Sequence, residues 1–180
     1  MKRIIFGLCV AFLVFPVAVQ AQTSSPQPSP EHKKLEVWAG TWTIQGEGKD
    51  SPSGPSYKFD WTMQGRWLPG GFFLEVYGSL KYPDGEDRWL EVLGYDPIKK
   101  TYVGYVFNYN GTSFIYTMTL SDRTCFENGT SYSPDGKGTK WRQIWNFAPD
   151  LMSVTGKREI EKDGTWWTEF EAKGVKTQAK

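Results

Sequence analysis

The feature that most constrains this chain is a two-residue alternation of apolar and polar side chains that recurs from residue 41 onward. Consecutive side chains of a β-strand point to opposite faces, so a period of two marks a strand with one buried face. Aromatic and β-branched residues, which strands favour, dominate these stretches. The alternation is clearest in four runs: YKFDWTMQ at 57–64, VGYVFNY at 103–109, FIYTMTL at 114–120 and WRQIWNF at 141–147.

Turn signals separate the alternating runs at short, regular intervals. Asn-Gly and Asp-Gly pairs supply the positive φ angles of tight hairpins. They occur at Pro83-Asp84-Gly85, Asn110-Gly111, Asn128-Gly129, Pro134-Asp135-Gly136 and Asp163-Gly164. No segment after residue 40 has helical periodicity over the length that a crossover between parallel strands needs. The pattern predicts an all-β fold of about ten antiparallel strands in up-and-down order. A barrel would remove the exposed edges, and a two-sheet sandwich is the alternative.

The first 31 residues differ from the rest. Lys2 and Arg3 precede an uncharged apolar run, and Val19-Gln20-Ala21 places small residues at an export cleavage site. Residues 1–21 are therefore predicted to be a signal peptide, 22–31 a Ser/Pro-rich linker, and 32–176 the β-barrel domain, which begins with a short helix that closes at Gly40. The predicted location is periplasmic or secreted. The alternative, an N-terminal membrane anchor, is disfavoured because the run is shorter than the ~20 apolar residues of a spanning helix.

Charge and reactive side chains limit the possible functions. Residues 22–180 carry one more acidic than basic side chain, which gives no basic surface for nucleic acid or anionic lipid. Cys125 is the one cysteine after the predicted signal, so no internal disulfide is possible. His32 is the only histidine and is expected on the surface of the short helix. We therefore expect no His-based catalytic pair, no metal site and no cofactor.

Carboxylates are the remaining acid–base groups. Glu75 lies between Phe73 and Tyr77, and Glu91 lies between Trp89 and Leu93. If these faces point inward, burial would raise the pKa of each carboxyl and suit it to general acid–base catalysis. If they point outward, the core is formed by Leu74 and Val76 in one strand and by Leu90 and Val92 in the other. We favour the outward arrangement for both acids because the second sets are purely apolar.

Several motifs resemble those of known families. Gly40-Thr41-Trp42 is similar to the Gly-x-Trp signature of calycin barrels, which include lipocalins and fatty-acid-binding proteins. A longer series resembles, in order and spacing, the bacterial domain of unknown function 1579: WLPGGFFL at 67–74, GYDP at 94–97, KTYV at 100–103, Arg142, and DGTW at 163–166. The resemblance covers residues 33–176 and implies a calycin-type barrel and frequent export, with no established activity. The related nitrobindin-like barrels hold haem through a late histidine, but His32 precedes the first strand, so no haem site is expected.

Aromatic residues are unusually abundant, with 9 Trp, 9 Tyr and 11 Phe. A small barrel cannot pack all of them into one core layer, so some are predicted to wall a cavity for a small hydrophobic or aromatic ligand: Trp61, Tyr77, Trp89, Tyr105 and Trp145. The leading hypothesis is an exported, non-catalytic binding protein for a partly hydrophobic molecule. One alternative is an enzyme with Glu75 or Glu91 as base and Tyr77 or Tyr105 as proton donor. Another is an envelope interaction protein whose barrel is filled by side chains.

Overall fold

The computed structural model describes residues 25–177, so the predicted signal peptide and residues 22–24 of the predicted linker lie outside the described residues. A helix α1 (Pro30–Lys33) continues into a 3-10 helix (Lys34–Trp38); the two together are called the helical segment. Ten strands follow: β1 Gly40–Lys49, β2 Ser56–Trp67, β3 Phe73–Tyr82, β4 Gly85–Asp96, β5 Thr101–Asn108, β6 Ser113–Ser121, β7 Thr124–Tyr132, β8 Gly138–Phe147, β9 Ser153–Lys162 and β10 Thr165–Thr177. None of the helices in residues 25–177 is long and apolar enough to cross a membrane.

The strands form one closed barrel. Each strand pairs antiparallel with its neighbours in sequence, and β10 returns to pair with β1, with Thr41 opposite Thr177. Closure leaves no strand edge free to pair with another chain. The prediction of an all-β, ten-stranded, up-and-down barrel with a short N-terminal helix is confirmed, and the sandwich alternative is wrong.

One end of the barrel, here called the closed end, is filled by the helical segment. Leu35 and Trp38 are buried there, and the Trp38 ring lies 6.2 Å from Trp42 and 5.8 Å from Trp145. The chain then enters β1 at Gly40, whose φ of 87° is a left-handed conformation that glycine adopts without strain. The fully buried Trp42 and the short helix before it agree with the Gly-x-Trp pattern.

His32 departs from its predicted surface position, because only 9% of the residue is exposed. Its Nδ1 accepts a hydrogen bond from the backbone N–H of Ser29 at 3.1 Å, and its ring packs edge-on against Phe72 and Tyr95. The helical segment lies against the barrel end instead of projecting from it. One face of even this short, charged helix is therefore buried.

One predicted turn is wrong. Asn128-Gly129 lies inside β7, where Gly129 pairs with Tyr116 of β6 and Trp141 of β8. The hairpin between β6 and β7 turns instead at Asp122-Arg123. Gly129 is required there because a Cβ atom would collide with the Cβ of Tyr116, the carbonyl oxygen of Ile115 and the Trp141 ring.

Candidate ligand cavity

A cavity of about 250 Å³ lies inside the barrel. It extends from Trp38 at the closed end toward the opposite end, here called the rim, where the β3–β4, β5–β6 and β7–β8 hairpins turn. Rim residues that line it, such as Tyr82, Asp87 and Asn108, are half-buried. The helical segment covers one end of the cavity, so a ligand would enter from the rim.

Three of the five predicted aromatic residues line this cavity. The Trp61 ring lies edge-on at 5.3 Å from Trp89 and at 5.7 Å from Trp145, measured between ring centroids. Edge-to-face packing at these distances gives a stable, preformed apolar wall. The same face of β2 carries Phe59 and Met63 into the core, as the alternation predicts.

Tyr77 and Tyr105 do not line the cavity. They are 39% and 46% exposed, and both point outward. In β5 the inward positions are instead Tyr102, Gly104 and Val106. This strand is apolar on both faces, so the alternation itself contains no information on which face is buried.

Glu75 also lies on the outer face, as favoured from the sequence, because Leu74 and Val76 point inward and are fully buried. Its carboxylate accepts hydrogen bonds from the Tyr77 hydroxyl and from Nε of Arg66, each at 2.7 Å. These hydrogen bonds lower the pKa of Glu75. A carboxylate held ionised on the surface is poorly suited to act as a base on a ligand inside the barrel.

Glu91 lies on the opposite side of the wall from its predicted position. The inward set of β4 is Trp89, Glu91 and Leu93, whereas Leu90 and Val92 face outward. The surface that Glu91 retains faces the cavity, and its Oε1 accepts a hydrogen bond from the Tyr116 hydroxyl. Burial raises the pKa of Glu91 to about 7, an effect that the Tyr116 hydrogen bond only partly offsets.

Glycine makes the Glu91–Tyr116 contact possible. Tyr116 is on β6 and Glu91 on β4, with β5 between them, and Tyr116 pairs directly with Gly104 of β5. A Cβ atom at Gly104 would overlap the Tyr116 ring. The missing side chain lets the phenol cross β5 and reach the carboxyl group.

The same pairing of a cavity aromatic with a cross-strand glycine recurs at Trp89–Gly78, Trp145–Gly156 and Phe59–Gly46.

A second buried carboxyl, Glu127 of β7, was not identified from the sequence. It is 7% exposed and accepts a hydrogen bond from the Cys125 thiol at 3.3 Å. Burial and the nearby negative charge of Glu91 raise the pKa of Glu127 to about 8. Its local sequence, CFENG, places Phe126 beside it and suggests a buried Phe, yet Phe126 is 38% exposed. The local sequence therefore gives no signal that Glu127 is the inward residue.

Arg158 of β9 is the one basic side chain among the described residues that line the cavity. Arg142, which belongs to the motif series of the resemblance, lies on the outer face, where its Nε donates to Glu159 at 2.6 Å. Arg158 Nε lies 3.0 Å from a carboxylate oxygen of Glu169, and its guanidinium stacks 4.4 Å from the Trp141 ring. Glu169 reaches this position because β10 has a bulge between Thr168 and Phe170, which allows consecutive residues to face the cavity.

Several polar groups of the wall have no partner among the described residues. The indole N–H groups of Trp61 and Trp141 are buried without an acceptor, and no hydrogen bond is made by the side chain of Gln143, which is 5% exposed. Buried polar groups without partners are costly, so these are positions where a bound molecule would be stabilised. Within residues 25–177, no group of three or more His, Cys, Asp or Glu side chains is placed to hold a metal ion.

The fold and cavity define this chain as an up-and-down β-barrel protein with a hollow, aromatic-walled interior. It matches the family described as "Protein of unknown function (DUF1579)" over residues 27–175 and belongs to that family. The crystal structure of Rv2717c from M. tuberculosis is similar, with a TM-score of 0.64 and 13% identity, covering 84% of this chain and 100% of that one. At this identity the likeness shows the fold alone. No curated protein matches the sequence.

Proposed function

We propose that this protein is exported and binds a small, partly hydrophobic molecule in its barrel without transforming it. The observation that carries the proposal is the cavity, whose aromatic wall includes two indole N–H groups without acceptors. Apolar walls with a few unsatisfied polar groups are typical of small-molecule sites. Its volume, about 250 Å³, lies just below the range of about 300–1,000 Å³ for such sites, which favours a compact ligand.

The cavity also bears on the alternative of a barrel filled by side chains. A filled barrel would pack its interior at the density of a protein core and leave few voids larger than a water molecule. A cavity of about 250 Å³ is much larger than such a void. This size does not fit the filled-barrel hypothesis.

Binding can be tested in two stages. Native mass spectrometry of protein purified gently from its host would reveal a retained molecule by its mass. Benzyl alcohol, a compact neutral probe, would then be titrated by ligand-observed NMR. We expect Trp61→Ala or Trp89→Ala to weaken binding by about 1–2 kcal/mol, the transfer value of the lost apolar surface.

Trp166→Ala is the matched control, since Trp166 is 36% exposed on the outer face and stacks on Arg142. It should leave the affinity unchanged. Equal losses in the wall and control variants, or no binding by the wild-type protein, would contradict the proposed site.

The geometry favours one second candidate, an enzyme that uses Glu91 as general acid or base. Glu91 faces the cavity, contacts the Tyr116 hydroxyl, and has its pKa raised to about 7 by burial. A group with a pKa near the working pH can both accept and donate a proton. Tyr116 and Glu127 take the place of Tyr77 and Tyr105 as possible partners, since only the former pair faces the cavity.

Catalysis is tested by following product formation from the retained molecule over hours. If Glu91 is the base, Glu91→Gln should lower the rate by about a hundred- to ten-thousand-fold, and the outer-face variant Glu75→Gln should not. Turnover lost in Glu91→Gln alone would establish the enzyme. Absent turnover in the wild type, with binding intact, supports the binding protein.

A further inference from the structure

The cavity has an excess of acidic groups. Four acidic side chains line it against one basic side chain, and that one, Arg158, is paired with Glu169. Asp87 lies at the rim and accepts hydrogen bonds from Asn110. The remaining two, Glu91 and Glu127, are hydrogen-bonded only to neutral donors, the Tyr116 hydroxyl and the Cys125 thiol.

The surroundings of these two carboxyls are aromatic. The Tyr116 ring lies 5.3 Å from the Trp141 ring, and Trp89 lines the cavity two residues before Glu91. The faces of aromatic rings attract cations, and the attraction strengthens where water is excluded. Arg158 already shows this behaviour by stacking on Trp141. An aromatic wall with two carboxyls that form no ion pair among the described residues offers a second cation both kinds of contact.

A separate observation concerns the polar groups beside Glu127. Glu127, Gln143 and Arg158 form one inward row across β7, β8 and β9, each paired with the next in the strand register. The Gln143 side chain, in the middle, is 95% buried, lines the cavity and makes no hydrogen bond among the described residues. The buried Trp141 N–H, two residues away, also has no acceptor. A ligand in contact with Glu127 could satisfy both groups.

We infer that the cavity selects a compact organic cation, such as a protonated aromatic amine, over neutral or anionic molecules of the same shape, with Glu91 and Glu127 as its counter-charges. This inference rests on the proposed binding function and specifies the class of ligand. A carboxylate ligand of the same size would face both acids and would find no unpaired cation among the described residues of the cavity. Such unfavourable contacts discriminate against the wrong ligand.

The protonation of the empty site gives this inference a distinctive signature. Burial raises the pKa of both Glu91 and Glu127 into the neutral range, so at pH 7 the empty cavity retains protons on the pair. A cation is stabilised only by the ionised forms, so its binding must release protons. The other titratable or charged groups around the pair are Asp87, Tyr116, Cys125, Arg158 and Glu169.

The test compares three probes of one shape: benzylamine, benzyl alcohol and benzoate. Isothermal titration calorimetry at pH 7 in two buffers of different ionisation enthalpy measures both the affinity and the protons released. We expect benzylamine to bind at least about tenfold more tightly than benzyl alcohol, which is about 1.4 kcal/mol. Its binding should release protons, and benzoate should bind most weakly.

Variants then assign the preference to the two carboxyls. In Glu91→Gln/Glu127→Gln the ratio of benzylamine to benzyl alcohol affinity should fall toward one, and proton release should disappear. Glu127→Gln alone should lower this affinity ratio to a value between those of the wild type and the double variant. This single variant provides the test if the double variant does not fold. Glu75→Gln, which removes a carboxylate from the outer face, should retain the wild-type ratio.

The possible results separate this inference from the function on which it rests. Benzyl alcohol binding as tightly as benzylamine, benzoate binding best, or an unchanged ratio in the double variant would overturn the cation preference and leave the binding function standing. Failure of all three probes to bind at millimolar concentration would overturn both.

Discussion

At the scale of single residues, Trp42 holds the closed end of the barrel together. It is fully buried, and its ring contacts Trp38 at 6.2 Å and Phe147 at 5.8 Å, while the Lys176 ammonium lies 5.7 Å from its centre. These neighbours come from the helical segment, β8 and β10. Loss of the indole would therefore open a cavity where these three elements meet.

We expect Trp42→Ala to lower the free energy of unfolding by about 3–5 kcal/mol, the range for deleting a large buried aromatic. Urea denaturation followed by far-UV circular dichroism measures the change. Trp166→Ala, on the outer face, should cost far less. A loss below about 1 kcal/mol for Trp42→Ala would show that the closed end is not packed around this residue.

Glu91 and Glu127 couple the stability of the fold to pH. Their ordinary pKa is 4.5, and burial in the folded protein raises it to about 7 and about 8. Between these values the folded state binds more protons than the unfolded state. The free energy of unfolding contributed by the pair therefore falls as pH rises from about 4.5 to about 8.

We expect Glu91→Gln/Glu127→Gln to remove this fall. Relative to the wild type at the same pH, the double variant should gain at least about 2 kcal/mol between pH 5 and pH 8, since one pKa unit corresponds to about 1.4 kcal/mol. Urea denaturation at several pH values gives the comparison. If the free energies of unfolding of the two proteins differed by the same amount at every pH in this range, burial would not be raising the pKa of these carboxyls.

At the scale of elements, the inward side chains of neighbouring strands are complementary in size. Large inward aromatics on one strand face glycines on the next, as in Tyr116–Gly104 and Trp89–Gly78. The interior of a closed barrel is narrow, so one large ring can cross a neighbouring strand only where that strand has no side chain. This matching keeps the centre of the barrel open and also lets Tyr116 reach Glu91.

We expect Gly104→Ala to destabilise the protein by about 1–3 kcal/mol, the usual cost of overpacking, because its Cβ would displace the Tyr116 ring. The displaced phenol would also lose its hydrogen bond to Glu91, which a changed Tyr ring resonance in NMR spectra would detect. Gly85→Ala is the control, since a Cβ at this hairpin position meets no other atom within 4 Å. Similar costs at both positions would indicate a general effect of glycine on strand flexibility.

At the scale of the whole molecule, residues 25–177 form the barrel without a disulfide, because Cys125 is the one cysteine among them. Cys125 is buried with its thiol donating to Glu127, and burial raises the pKa of the thiol well above its ordinary value. A thiol kept protonated in this way is a weak nucleophile and a poor disulfide partner. The closed sheet and its core therefore supply the stability, which leaves the protein compatible with an oxidising compartment.

Export remains a prediction that can be checked on the intact chain. Protein recovered from the periplasm or the medium should begin at Gln22, because the basic start, apolar run and Val19-Gln20-Ala21 exit match a cleaved signal. N-terminal sequencing or intact mass measurement decides the point. Exported protein that retains Met1 would contradict cleavage after Ala21.

The sequence by itself determined the number of strands, their antiparallel order and the inward face of strands such as β2 and β8. There one face is aromatic and the other polar, so only one orientation buries apolar surface. In β4 and β5 both faces are apolar, and Glu91 and Tyr105 were placed on the wrong side. Glu127 gave no local signal for a related reason, since Phe126 beside it appeared to be the better core residue. Only the tertiary structure determined which face of these strands points inward. Closing the barrel fixes the register of all ten strands together, and that register depends on pairing between residues far apart in the chain.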